Sequence, residues 1–390
     1  MKFRSQGIKK LFPVFFLAVL TFTVFRAWFT VGAITSGDLP FYFRENLNGL
    51  FSFPHLWDGQ HIALLFLYPP IFLTGLLSKL GLGFALVERF VWFWLFLVFT
   101  VFSSWYLVKT LLPKNVFWFF CPFVFLFNTY ILMIIDGGQM GIAMAYAVAP
   151  LVLGLFIKLI NYSIANCELR FRKIIMAGVV LAIQVMFDPR ISFLTMGAVF
   201  LYAIFQYGVA IKKYIRAFVL PLFIVLGLHF YWLLPTALLR RPALPAGYGE
   251  PGWVEFLSFA RFSDSVSLLH PNWSENIFGK TYFFRPEFLI LPILAFSSLL
   301  FINYSITNYE LRIKKNVLVF ALLGIVGAFL AKGANPPFGE IYLWLFKNFP
   351  GMNLFRDASK FYVLVALSYS ILIPFSVEQI YLYLRKKFNN

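Results

Sequence analysis

The chain has 390 residues, of which 61% are hydrophobic, 21% aromatic and only 13% charged. So much apolar surface exceeds what a soluble core of this length buries, and this excludes a soluble protein and predicts a polytopic membrane protein. The net charge of +17 comes from short basic clusters between apolar runs, a pattern typical of topology signals rather than of nucleic-acid binding.

The first apolar run, residues 11–34, follows a basic N-terminal segment. It is longer than a signal-peptide core and lacks a small-residue cleavage site, so it predicts an uncleaved first span. The Y-P-P stretch at 68–70 is apolar but interrupted by proline, which favours helices lying at the membrane interface over another span. Nine further apolar runs predict the remaining spans, at residues 90–108, 116–135, 142–160, 174–187, 191–210, 218–235, 288–303, 317–331 and 362–384.

A near-repeat orients these spans. Residues 160–173 read I-N-Y-S-I-A-N-C-E-L-R-F-R-K and residues 302–315 read I-N-Y-S-I-T-N-Y-E-L-R-I-K-K, so the two basic connections are expected on the same face. Placing the basic clusters in the cytoplasm predicts an all-α protein of ten spans, multi-pass in the cell membrane, with both termini cytoplasmic. The whole chain then forms a single integral membrane domain with long outer segments at residues 35–88, 236–286 and 332–361.

Acidic residues gather on the predicted outer face, several of them within a residue or two of a span's end. Ionisable groups at that depth indicate a functional site. The alternative is that they are solvated loop acids or helix-end partners for neighbouring basic residues. The acids concerned are Asp38, Glu45, Asp58, Asp136, Asp188 and Asp357.

Short motifs on this face resemble a known family. The G-D at 37–38, W-D-G-Q-H at 57–61 and Y-P-P at 68–70 look like the first extracytoplasmic loop of the GT-C superfamily of membrane glycosyltransferases. The F-D-P-R, N-P-P-F-G-E-I-Y and F-P-G-M-N-L-F-R-D-A-S-K-F stretches are similar to the membrane core of its arabinofuranosyltransferase-like and YfhO-like members.

The resemblance implies a helical membrane fold, an outward-facing catalytic cavity and a sugar donor carried on polyprenyl phosphate. It also implies that Asp38 serves as base or metal ligand. This chain has a lone Asp where many members have a paired acidic motif, which leaves the use of a divalent cation such as Mg²⁺ or Mn²⁺ open. No soluble domain follows the last predicted span, which leaves the choice of acceptor open.

The residues themselves fit this chemistry. Glycosyl transfer needs a base for the acceptor hydroxyl and cations for the departing phosphate. Asp38 is the candidate base, and Arg356 with Lys360, four residues apart, are expected on one helical face to bind the phosphate. The alternative for that pair is snorkelling at the outer leaflet. Arg190 is a weaker phosphate candidate because Asp188 neutralises it.

Further candidate substrate-binding residues are Asp58, His61 and Asp136. Histidines in the outer segments could join Asp38 at a metal, but the sequence has no His-x-x-x-His pattern, and hydrogen-bonded loop histidines are the favoured interpretation. His229, inside a predicted span, is interpreted as a packed residue.

These observations predict a membrane glycosyltransferase that moves a sugar from a polyprenyl-phosphate-linked donor to a glycan, lipid or protein acceptor on the extracytoplasmic face, in contact with membrane lipid. Two alternatives stay open: a flippase or transporter of a lipid-linked glycan or other anionic substrate, and a non-catalytic membrane assembly partner. Transporters often repeat whole helix bundles, whereas the repeat here is confined to a loop motif, which favours the enzyme.

Overall fold

A computed structural model of the chain describes residues 2–34, 38, 66–166, 169–208, 211–238, 250–271, 286–302 and 311–388. Every regular element within these ranges is helical, which confirms the all-α fold class. Asp58 and His61 lie outside the described residues. The helices of the N-terminal half are α1 (Lys2–Val24), a 3₁₀ turn (Arg26–Phe29), α2 (Tyr68–Lys79), α3 (Phe84–Glu88), a π-helical turn (Arg89–Trp94), α4 (Leu95–Leu111), α5 (Phe120–Leu126), α6 (Thr129–Asp136) and α7 (Met140–Asn166).

The C-terminal half continues the helical pattern with longer helices and short connecting turns. Its elements are α8 (Phe171–Phe187), α9 (Pro189–Tyr207), a 3₁₀ turn (Ile211–Lys213), α10 (Ile215–Leu228), α11 (Phe230–Leu238), α12 (Pro251–Phe256), α13 (Phe262–Val266), a 3₁₀ turn (Pro286–Leu289), α14 (Ile290–Ser297), α15 (Leu311–Ala331), α16 (Gly339–Asn348), two 3₁₀ turns (Met352–Leu354 and Ala358–Phe361) and α17 (Tyr362–Phe388).

Five helical stretches in the described part are long and apolar enough to cross a membrane, which supports a membrane protein. Helices α10 and α11 also qualify as a pair, although the chain bends by 79° between them. Two shorter apolar helices are Pro13–Val24 and Pro286–Ser297. The five are Phe84–Leu111, Met140–Ala165, Pro189–Tyr207, Arg312–Ala331 and Ala358–Phe388.

Helices α7 and α17 form the centre of the bundle and are mostly buried. Small residues let their neighbours approach closely, as is common between membrane helices. At Gly154, for example, an added Cβ would lie 2.9 Å from the ring of Tyr106 in α4. Serines also bind across the contact, since Ser368 of α17 donates to the Phe320 carbonyl of α15 at 2.5 Å.

The predicted span at residues 116–135 is divided into two short helices, α5 and α6. Asn128 explains the division. Its side-chain oxygen accepts from the Ile131 N–H at 3.1 Å and begins α6, while its amide donates to the Val124 carbonyl at 2.9 Å and closes α5. A buried Asn that caps a new helix competes with continuation of the old one.

The two near-copies meet the same end of the bundle in their described parts, as the repeat predicts. The Tyr207 hydroxyl at the end of α9 donates to Asn161 near the end of α7. Gln206 donates to Asn316 at 2.7 Å and accepts from Lys315 at 3.2 Å, both near the start of α15. We call this the basic end. The opposite end, here the acidic end, carries Asp38, residues 136–141, Asp188 and residues 352–361.

Candidate functional site

Asp38 is held at the acidic end by its backbone. Its N–H donates to the Gly137 carbonyl at 2.9 Å, and its side chain is exposed. Asp136, another exposed candidate acid, immediately precedes Gly137 at the end of α6. The structure therefore brings two of the predicted site residues to one turn.

Gly32 and Ile34, a few residues before Asp38, are bound by an acidic and a basic side chain that the sequence did not single out. Glu88 accepts from the Ile34 N–H at 2.5 Å, and Arg89 donates to the Gly32 carbonyl at 2.5 Å. Both side chains are buried and paired with each other at 3.3 Å. Arg89 begins the π-helical turn, an irregularity frequent at functional sites. The position of Glu88 and Arg89 next to each other at the start of an apolar run is the sequence feature that could have indicated a buried ion pair, because such charges are buried only when partnered.

Asp188 and Arg190 form an ion pair at the start of α9. The Arg190 guanidinium lies 2.7 Å from the Asp188 carboxylate, which also caps the helix by accepting from the Arg190 and Ile191 N–H groups. Burial raises the pKa of Asp188, but Arg190 and these hydrogen bonds outweigh it and hold the pKa below its usual range. Asp188 is therefore ionised at neutral pH, and Arg190 is ion-paired as the sequence predicts.

A second ion pair joins Asp357 and Lys360 before α17. Lys360 is only 2% exposed and donates to the Asp357 carboxylate. Burial raises the pKa of Asp357, yet Lys360 and the Ser359 hydrogen bonds hold it well below its usual range. Asp357 is thus an ionised, half-buried partner for the buried Lys360 ammonium.

The prediction that Arg356 and Lys360 share one helical face is wrong. Asp357 accepts from the Ser359 N–H at 2.9 Å and begins the 3₁₀ turn Ala358–Phe361. Arg356 therefore lies in the bend before this turn, half-buried, with its guanidinium 5.6 Å from the Trp253 ring centre. An Asx-type cap at Asp357 thus interrupts the helix on which the four-residue spacing of Arg356 and Lys360 depends.

Three ring side chains pack against one another near the two ion pairs. The rings of Tyr130 and Tyr362 stack with their centres 5.4 Å apart, and the His270 ring lies 5.1 Å from Tyr362. Tyr362 donates to the Leu269 carbonyl at 2.9 Å, whereas the buried Tyr130 hydroxyl has no hydrogen-bond partner among the described residues.

The two ion pairs act on each other, because Lys360 helps to lower the pKa of Asp188. We call Asp188, Arg190, Asp357, Lys360 and His270 the ion-pair cluster.

His270 is neutral at pH 7. Burial lowers its pKa to about 4, against the opposing effect of Asp357. Its Nδ1 binds the Pro271 carbonyl, and because a carbonyl only accepts, Nδ1 carries the proton. The neighbouring charges are Asp357 and Lys360, which already neutralise each other.

We expect the free energy of unfolding to fall between pH 6.5 and pH 4 because of His270. A histidine whose folded pKa lies below its unfolded value of about 6.5 stabilises the fold above that value, and this stabilisation is lost as the pH falls through it. The loss amounts to roughly 3 kcal/mol. Thermal melts of His270→Gln should show a shallower pH dependence over this window than wild type. Equal slopes would contradict the prediction.

One turn connects Asp38 to the ion-pair cluster. The Gly137 carbonyl accepts from Asp38 on one side of the turn. On the other side, a Cβ added at Gly141 would lie 3.0 Å from the Phe187 carbonyl, directly before Asp188. Glycine at 141 thus permits the close approach that brings α7 against the start of α9.

An apolar groove of about 800 Å³ lies between α1 and α4. The groove adjoins the π-helical turn that begins at Arg89 and ends at Trp94. Phe29, which lines the groove, stacks with Trp94 at 6.1 Å between ring centres, and Trp94 donates to the Trp28 carbonyl at 3.2 Å. The lining residues are Val14, Leu17, Ala18, Thr21, Phe22, Phe29, Leu97, Val98, Val101, Phe102, Trp105 and Trp118.

Two of the four histidines, His229 and His270, lie among the described residues. Within the described ranges no three His, Cys, Asp or Glu side chains gather in a metal-binding group. Asp58 and His61, which could join Asp38, fall outside those ranges. His229 binds the Ala182 carbonyl through Nε2 at 2.9 Å and accepts from the Trp232 indole through Nδ1 at 2.8 Å, so it is a packed, hydrogen-bonded residue as predicted.

Comparison with known protein families, with curated proteins and with solved structures finds no match to this chain. The likeness to GT-C glycosyltransferases therefore rests on the sequence motifs alone.

Proposed function

We propose that the chain is a membrane glycosyltransferase of GT-C type, which transfers a sugar from a polyprenyl-phosphate-linked donor to an acceptor at its acidic end. The observation that carries the proposal is the placement of Asp38. It is an exposed carboxylate whose backbone N–H is bound to Gly137, and Gly32 and Ile34, a few residues earlier in the chain, are bound by Arg89 and Glu88. A general base must come within hydrogen-bond distance of the acceptor hydroxyl, and an exposed carboxylate is accessible to such an acceptor.

In this proposal Asp38 accepts the proton of the acceptor hydroxyl as that oxygen attacks the anomeric carbon of the donor sugar. The bond between that carbon and the phosphate oxygen breaks, and polyprenyl phosphate leaves. Asp136, on the same turn, is placed to contact the acceptor. Any divalent cation would be held by Asp38 with the candidate residues Asp58 and His61.

Arg356 is the cation proposed to contact the leaving phosphate. It is half-buried beside the exposed Trp253, whereas Lys360 is buried and bound to Asp357. We therefore assign the direct phosphate contact to Arg356 and a supporting role, within the ion-pair cluster, to Lys360. The apolar groove between α1 and α4 suits part of a prenyl chain, because a hydrocarbon chain is stabilised by leaving polar surroundings.

We also propose the full topology of ten spans with cytoplasmic termini. Its support is the separation of charge between the two ends of the bundle: Lys and Arg concentrate at the basic end, and the candidate acids at the other. Positively charged segments remain preferentially on the cytoplasmic side. The acidic end is then extracytoplasmic, where a lipid-linked donor and an external acceptor meet.

Replacing Arg356 with Lys is expected to weaken donor binding about tenfold, because the planar guanidinium makes two parallel hydrogen bonds to a phosphate and the ammonium does not. Donor affinity is measured on purified protein in detergent with a polyprenyl-phosphate sugar. Arg261→Lys, an exposed arginine near the same end, serves as the matched control. Unchanged donor binding in Arg356→Ala would remove Arg356 from the site.

The direct test of the function is sugar transfer by the purified wild-type chain. The protein in detergent is given a radiolabelled polyprenyl-phosphate sugar and an acceptor glycan or lipid, and both the product and the released polyprenyl phosphate are counted. The proposal expects the two to appear together. Movement of intact donor across a vesicle bilayer without cleavage would instead favour the transporter alternative.

A further inference from the structure

Two helix starts at the basic end present cations to the outside of the bundle. Helix α8 (Phe171–Phe187) begins with Arg172 and Lys173, and α10 (Ile215–Leu228) begins with Arg216. Together with two neighbouring cations they form a group that we call the basic corner, which consists of Arg170, Arg172, Lys173, Lys212 and Arg216. Within it Lys173 is half-buried and the other four side chains are exposed.

The packing of the two helices brings these cations together. A Cβ added at Gly178 would lie 2.9 Å from the Pro221 carbonyl, and further along His229 binds the Ala182 carbonyl at 2.9 Å. Both contacts advance in the same direction, so α8 and α10 run in parallel. Lys173 and Arg216 each precede the first contact by five residues, so both cations lie at the end of the helix pair where the two helices begin.

An aromatic ring positions part of the basic corner. The Lys173 ammonium lies 3.5 Å and the Arg170 guanidinium 5.7 Å from the ring centre of Tyr162. Helices α8 and α10 contain no Asp or Glu, and the nearest acid in the sequence is Glu168, two residues before Arg170 and outside the described residues. The two helices themselves therefore supply positive charge without an acid of their own to neutralise it.

Exposed apolar side chains begin directly beside these cations and continue along both helices. Phe171 is 75% exposed and Phe223 64% exposed, and Ile175, Met176, Ile215 and Val219 are exposed between them. The surface thus has a charged level at the end of the helices and an apolar level next to it. A phospholipid has the same two levels, a phosphate headgroup and acyl chains.

We propose that the basic corner binds the headgroup of an anionic phospholipid, with the acyl chains lying along the apolar surface of α8 and α10. The occupant is anionic because the five cations of the basic corner outnumber the one acid that adjoins them in the sequence, Glu168, and it is a lipid because the apolar surface lies next to these cations. This site is separate from the glycosyltransferase site at the acidic end, so its test is independent of that function.

Native mass spectrometry of the purified protein in detergent, titrated with phosphatidylglycerol or phosphatidylcholine, tests the proposal. The wild type should bind phosphatidylglycerol more tightly. The variant R172Q/K173Q/R216Q should bind it roughly a hundredfold more weakly, since each cation near a membrane surface contributes about fivefold. The charge-conserving variant R172K/K173R/R216K should retain binding and shows whether the substitutions themselves disturb the fold.

The control variant R385Q/K386Q/K387Q removes the same charge from the exposed end of α17 and should bind phosphatidylglycerol as the wild type does. Equal weakening in both neutralised variants would show diffuse attraction rather than a site and would overturn the proposal. Displacement of the lipid by soluble glycerol phosphate at the same concentration would overturn it too, because the acyl chains would then contribute nothing. Failure of glycerol phosphate to compete supports a lipid site.

Discussion

Asp38→Asn is expected to reduce the turnover of sugar transfer by about two to four orders of magnitude, the usual contribution of a general base. The amide has the size of the carboxylate but cannot accept the proton of the acceptor hydroxyl. Folding should be unaffected, because Asp38 is bound to Gly137 through its backbone N–H, which the variant keeps. Turnover and thermal stability are measured on the same purified sample.

Two further variants make this result specific. Asp136→Asn neutralises the neighbouring acid of the same turn, and we expect a much smaller loss of turnover if Asp38 alone takes the proton. Asp38→Glu should retain part of the activity if the carboxylate binds a metal, and little if it must meet the acceptor hydroxyl at hydrogen-bond distance. An Asp38→Asn protein that transfers sugar at the wild-type rate would remove the central support for the enzyme.

The all-α fold class could be predicted because a high hydrophobic content and apolar segments long enough to span a membrane are read directly from the sequence, without knowledge of tertiary contacts. The common end of the near-copies was predictable for a similar reason: two segments with the same pattern of polar and basic residues have the same preference for one side of a membrane. The structure agrees, since Asn161 and Lys315 both contact the end of α9. Asp38 and Asp136 were selected as acids near span ends, but their meeting at Gly137 was not foreseen.

The parts that sequence could not provide depend on side-chain partners far apart in the chain. Nothing local to Glu88 shows that it binds the backbone of Ile34, and nothing local to His270 shows that it lies beside Asp357. Local competition caused the remaining errors. Asn128 and Asp357 each cap a new helix, so a run that looked continuous by hydropathy was divided, and Arg356 was separated from Lys360.

Replacing Lys360 with Met is expected to lower the free energy of unfolding by about 3 kcal/mol, because removal of the buried Lys360 ammonium leaves the half-buried Asp357 carboxylate uncompensated. Here that charge is the Asp357 carboxylate, which Lys360 and Ser359 keep ionised. Methionine keeps most of the volume of the lysine stem, so a cavity contributes little. Equilibrium unfolding in mixed micelles with increasing denaturing detergent measures the change.

The double variant Lys360→Met/Asp357→Asn distinguishes the loss of pairing from the loss of a phosphate contact. Asparagine is as good a helix cap as aspartate, so it keeps the hydrogen bond from Ser359 while removing the charge. If Lys360 acts through Asp357, the double variant should recover most of the stability lost in the single one, and donor binding should change little in both. If Lys360 contacts the donor phosphate directly, the single variant should lose donor affinity with little loss of stability, and Asp357→Asn should not restore it.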